Sequence, residues 1–122
     1  MADRWKLLSD VKRVASNALE VQVCVPQDCI WFTGHFPDEP ILPGIALVHT
    51  VYEAIAWDAQ ARGEAVQISS LKRIRFTGPV RPGEKFLLNL THEDLDGEKW
   101  FNFKVAVKEK IVCSGLVTVT KT

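Results

Sequence analysis

The chain predicts one α+β domain in which a single long helix packs against antiparallel strands. Three observations carry that prediction. Only one long segment, from Pro43-Gly44 to about Arg62, is rich enough in apolar residues at helical spacing to form a buried helix. Nearly everything after it alternates apolar and polar residues with period two. Pairs such as Gly78-Pro79 and Asp96-Gly97 cut that remainder into hairpin-sized pieces. At 122 residues the chain is one domain, spanning 1–122. A domain of that size buries roughly two-thirds of its unfolded surface, enough for a core without staples.

Taken in order, residues 3–14 read as a short helix that Asp3 can cap, with Leu7, Leu8, Val11 and Val14 on one face. From Ala18 to Val25 the period becomes two: Leu19, Val21, Val23 and Val25 point one way, Glu20, Gln22 and Cys24 the other. Pro26 and Asp28 end that strand, and Cys29 to Phe32 read as a brief extended piece. In the long helix, Ile45, Val48, Tyr52, Ile55 and Ala59 form a stripe that Leu47, Val51 and Ala54 widen, so the helix is expected to be buried nearly all round. Gly63 is its expected stop. Strands follow at Gln67–Phe76, Lys85–Glu93, Trp100–Val107 and Ile111–Thr120. A curved sheet wrapped round the helix buries it most simply, and such a sheet keeps an edge that a second copy can cover.

Composition narrows the function. Fifteen basic and fifteen acidic side chains cancel, so the net charge gives no reason to invoke nucleic acid or a membrane surface. No apolar run approaches the roughly 20 residues of a membrane span, and no apolar signal core opens the chain, so a cytoplasmic protein is expected. Cys24, Cys29 and Cys113 form no C-x-x-C pair and read as reduced core thiols. His92, among acidic residues near a turn, reads as exposed. Tyr52, Trp57 and the phenylalanines read mostly as core. No metal site or cofactor is expected, since no usual zinc-ligand spacing occurs.

The densest chemistry lies in Thr33-Gly34-His35-Phe36-Pro37-Asp38-Glu39-Pro40-Ile41-Leu42-Pro43-Gly44, which opens directly into the long helix. Prolines stiffen the loop around His35. The helix start supplies backbone N–H groups with no intrahelical partner. A fixed imidazole beside such amides suits proton abstraction next to a carbonyl, whose developing negative charge the amides bind.

His35-Phe36-Pro37 with Pro40-Ile41-Leu42-Pro43-Gly44 resembles the signature of the hot-dog-fold beta-hydroxyacyl-acyl-carrier-protein dehydratases. Arg75-Phe76-Thr77-Gly78-Pro79-Val80-Arg81-Pro82-Gly83-Glu84 is similar to that family's strand and turn after the helix, and Lys108 to Cys113 to its closing hairpin. The likeness covers roughly residues 18–120, and the short N-terminal segment looks like the small stand-alone dehydratases of specialised acyl or aryl-polyene pathways. It implies a hot-dog dimer, or an assembly of dimers, that reversibly removes water from a beta-hydroxyacyl thioester on acyl carrier protein or coenzyme A. By the resemblance His35 takes the C2 proton, the Gly44 amide binds the thioester carbonyl, and Phe36 and Pro43 flank the substrate.

The family's acid, a Glu or Asp on the helix of the other subunit, stands fourteen residues after the histidine. Here that position is His49. Three readings stay open. His49 is itself the acid, as imidazolium. Or Glu53, one turn on, replaces it from roughly 6 Å along the helix. Or dehydration is lost and the chain binds thioesters or pairs with an active paralogue. A hot-dog thioesterase is a further alternative, with Glu53 activating water. Lys72, Arg73, Arg75 and Arg81 form a basic cluster that reads either as a solvated strand face or as a dock for an acidic carrier.

Overall fold

A computed structural model describes residues 8–25, 44–81 and 83–121. Six strands and one helix appear in the order β1 (Leu8–Ala15), β2 (Ala18–Cys24), α1 (Gly44–Ala61), β3 (Val66–Phe76), β4 (Lys85–Leu95), β5 (Glu98–Val107) and β6 (Lys110–Lys121). The strands form one antiparallel sheet ordered β1-β2-β4-β5-β6-β3. This is the expected α+β architecture. Among the described residues no helix is long and apolar enough to cross a membrane.

Residues 8–14 correct the first expectation: they are strand, not helix. The reason is a pair of bulges. Leu8 pairs with Val23 and Val11 with Val21, so one extra residue separates two positions that share a face. A second irregularity lies between Arg13 and Ala15. Bulged spacing of three imitates the i, i+3 step of a helix. Cys29 to Phe32 lie outside the described residues.

One face of the sheet carries the core. Leu19, Val21 and Val23 of β2, Phe86, Leu88 and Leu90 of β4, and Phe101, Phe103 and Val105 of β5 are buried with Leu47, Val51, Ala54 and Ile55 of α1. Of the expected stripe Ile55 and Ala59 are buried, but Ile45, Val48 and Tyr52 are not. Ile45 is 70% exposed, while Ala46, Leu47, Thr50, Val51, Ala54 and Asp58 are buried. Apolar residues nearly all round left its rotation undetermined. Tyr52 and Trp57 are likewise outside the core. Gly63 ends the helix at φ +71° as expected. Asp96 and Gly97, at φ 49° and 82°, make the β4–β5 turn.

Two polar groups on the buried helix face are plainly satisfied. Thr50 Oγ1 donates to the Ala46 carbonyl at 2.9 Å. Asp58 meets Arg13 of β1 at 2.6 Å and Arg62 at 3.2 Å, and Arg62 also donates to the Ser16 carbonyl at 2.8 Å. That network ties the β1–β2 hairpin to the helix. Of the cysteines, Cys113 is buried, with its thiol pushed up to about 11 by desolvation, whereas Cys24 is exposed, contrary to the core-thiol reading.

His92 is not exposed: only 8% of it is accessible. It continues the inward positions Phe86, Leu88 and Leu90 and packs against Phe101, ring centroids 5.0 Å apart. Neither ring nitrogen has a hydrogen-bond partner. Burial, followed by the charge of Lys99, holds its pKa below the ordinary value; Asp58 and Asp94 oppose the shift and Arg62 adds to it. The folded chain therefore binds fewer protons here than the unfolded one. Its contribution to stability is intact above about pH 6.5 and is lost as pH falls toward the lowered folded value. A His92→Phe variant is expected to melt at a temperature that changes less between pH 7 and 5 than the parent's does. Parallel melting curves across that range would show that His92 does not titrate on unfolding.

Candidate active site

Helix α1 starts at Gly44. Its first turns bring the open apolar residues Ile45 and Val48 to the same side as His49 and Tyr52, where they face Gln67 and Ile68 of β3 across a shallow recess. His49 and Glu53 lie one turn apart. Nε2 of His49 is 3.2 Å from Oε1 of Glu53, with the imidazole side chain 36% exposed and the carboxylate 7%. The two candidates for the acid position are thus not alternatives in space; they touch. The carboxylate lies deep and the imidazole shallow.

A groove of about 620 Å³ runs from this pair toward the helix end, lined by Tyr52, Ala56, Trp57 and Gln60 among others. Small alanines and two aromatic rings give it largely apolar walls, which suits an extended carbon chain. A separate cleft at the end of the sheet holds Glu64 between Lys121 at 2.6 Å and Lys99 at 3.3 Å. Those ions neutralise each other: the Lys121 hydrogen bond lowers the Glu64 pKa, and Glu64 raises that of Lys121. Among the described residues, none of the sequence-predicted site residues lines that cleft.

Gly44 has a neighbour that sequence reasoning did not single out. The ring of Phe76, the last residue of β3, sits against it: a Cβ built on Gly44 would lie 2.7 Å from Cζ and 2.8 Å from Cε1. Any side chain at position 44 would have to displace that ring. Phe76 was visible only as one letter of the strand-and-turn motif, because contact between a strand end and a helix start has no sequence period.

His35, Phe36 and Pro43 lie outside the described residues. The four residues of the basic cluster are all exposed. Lys72 Nζ stands 4.8 Å above the Trp100 ring. Arg73 occupies a bulge with φ 56°, and Arg75 lies beyond that bulge. Arg81 sits in the following loop, where its backbone N–H donates to Glu84 at 2.6 Å.

Residues 11–116 match the ApeI-like family, described as ApeI dehydratase. The chain belongs to the ApeI-like dehydratase family. Among relatives, it is similar to the 3-hydroxyacyl-acyl-carrier-protein dehydratase FabZ of Aliivibrio fischeri, at 32% identity over 116 residues, 89% of this chain and 70% of the relative. It is also similar to the FabZ of Syntrophobacter fumaroxidans, at 34% identity over 65 residues, covering 49% of this chain and 44% of the relative. In fold it resembles a chain of the dehydratase heterocomplex ApeI:P from Xenorhabdus doucetiae, with a TM-score of 0.76 at 21% identity, covering 94% of this chain and 97% of that one. The architecture of this ApeI-like chain is the hot-dog fold.

A buried carboxylate is costly to desolvate, and exchanging a buried ionic group for an apolar one of similar size is often neutral or stabilising. Glu53→Leu is therefore expected to unfold at the same temperature as the parent or a higher one. A loss of about 2 kcal/mol or more in denaturant unfolding would instead make the His49–Glu53 pair a structural tie.

Proposed function

We propose that the chain reversibly removes water from a beta-hydroxyacyl thioester, carried on acyl carrier protein, to give the trans-2-enoyl thioester. One observation carries the reading beyond family membership: an imidazole and a carboxylate in contact, at the mouth of an apolar groove, on the helix that Gly44 opens. His35 takes the proton from C2. The electron pair forms the C2–C3 double bond as the C3–O bond breaks. His49, as imidazolium, gives the leaving oxygen its proton, so that water departs. The Gly44 amide holds the carbonyl oxygen while negative charge gathers on it. Glu53, as carboxylate, balances the charge of His49; once water has left, His35 gives its proton to solvent and His49 takes one up from it.

The chain works as a homodimer in the cytoplasm. Among the described residues β3 has one strand neighbour, and the exposed Leu71 lies on it. Pairing β3 with its copy covers that edge. It also sets His35 and Gly44 of one protomer opposite the partner's His49 and Glu53, the shared arrangement that the resemblance implies. Phe36 and Pro43 flank the substrate in that arrangement.

The decisive assay supplies a carrier-bound beta-hydroxyacyl thioester and follows enoyl absorbance and free thiol together. Enoyl product is expected, with His35→Ala and His49→Ala each slower by about 10²-fold or more. Free thiol in place of enoyl would make the chain a thioesterase working through Glu53. Neither product would leave it a thioester-binding subunit.

Arg73 and Arg75 are the best-placed members of the basic cluster for docking an acidic carrier, since both are exposed on the strand that leads to Gly44. Replacing both with Ala is expected to weaken carrier binding several-fold at low salt and by less at high salt, where screening has already removed part of the attraction. Unchanged carrier affinity at low salt would reduce the cluster to a solvated strand face.

A further inference from the structure

Phe76 is 52% exposed, so filling the core does not explain an aromatic residue there. Its backbone is nonetheless held firmly. It pairs with the buried Cys113 of β6. The next residue, Thr77, donates its N–H to the Val112 carbonyl at 2.8 Å and its hydroxyl to the Ile111 carbonyl at 2.9 Å. The Gly78 N–H reaches the same Val112 carbonyl at 3.3 Å. A half-exposed ring on a fixed strand end has one firm seat, the side of Gly44 where any other residue would carry its Cβ.

We propose that Phe76 is a positioning residue for the reaction: its ring caps Gly44, holding the first residue of the helix in place and keeping water off one side of its amide. The inference rests on the assignment of that amide to the thioester carbonyl. Two effects follow from the geometry. A ring pressed on the α-carbon limits how far the helix start can rock, so the N–H keeps its aim as charge develops on the carbonyl oxygen. An apolar wall beside a donor also lowers the local dielectric, which strengthens the hydrogen bond most when the acceptor is most negative. Both effects act in the transition state more than in the ground state, so they bear on kcat more than on KM.

The test combines Phe76→Ala, Phe76→Leu and Gly44→Ala. Phe76→Ala is expected to lower kcat about 10-fold, part of the cost of losing an oxyanion donor outright. KM and the melting temperature should stay close to those of the parent, as expected for a half-exposed side chain. Phe76→Leu should recover part of the loss. Gly44→Ala drives the ring from its seat, so adding it to Phe76→Ala should cost much less than it does in the parent. A Phe76→Ala enzyme with parental kcat overturns the proposal, and so do fully additive losses. A second readout needs no turnover. The ring should shift the Gly44 Hα resonances and slow exchange of its amide proton, and Phe76→Ala should abolish both effects. Unchanged shifts and exchange overturn the cap. If the parent forms no enoyl product, the dehydratase reading fails, and the Gly44 resonances still decide whether the ring covers the amide.

Discussion

A helix wrapped by a sheet can keep a polar side chain on its inner face only if something answers it. That constraint organises the whole molecule. Helix α1 carries three buried side chains of this kind: Thr50, Glu53 and Asp58. Thr50 turns back on its own helix through the Ala46 carbonyl. Asp58 is answered by two guanidinium groups, one from the helix end and one from β1. Glu53 meets an imidazole that reaches a groove. The first two arrangements hold the fold together. The third places ionisable groups where a substrate can reach them.

The Asp58 network also explains how a short, bulged edge strand stays on the sheet. Among the described residues β1 has one strand neighbour, β2, and its alternation is broken by two bulges. Arg13 pays for its inward position by clamping Asp58 and passing 5.9 Å from the centre of the Trp57 ring. An inward-pointing charge on an edge strand also discourages pairing with a stranger. The opposite edge, β3, is treated differently. It carries the exposed apolar side chain of Leu71. One edge is defended and the other is left suited to a partner, a polarity that agrees with a dimer built across β3.

Most of the architecture was legible because the strands after the helix alternate cleanly. Phe86, Leu88 and Leu90 point inward in β4, and Phe101, Phe103 and Val105 in β5, with the turn at Asp96-Gly97 where its dipeptide places it. The failures have separate physical causes. Residues 8–14 looked helical because bulges lengthen the strand repeat toward three. His92 looked exposed because its acidic neighbours dominate the local composition, yet position, not company, sets burial in a strand: it lies two residues beyond Leu90 and shares its face. The helix rotation was ambiguous because an apolar residue on every side gives no unique inner stripe. Contacts between distant segments left no local trace, which is why Phe76 on Gly44 had to be seen in space. The His49–Glu53 contact was half legible, since residues four apart on a helix are neighbours. What the letters did not disclose is their difference in depth.

That difference bears on the chemistry. A carboxylic acid at position 49 would have to keep its proton at neutral pH in order to donate it, which requires an environment hostile to charge. An imidazole there has the opposite requirement: it must be charged to donate, and a wholly apolar pocket would oppose it. The carboxyl group of Glu53 lies 3.2 Å from the His49 imidazole and deeper in the protein, so that position has an acidic neighbour within reach. In the proposed reaction the acid is this pair, with the imidazole toward the substrate and the carboxylate one helical turn further along.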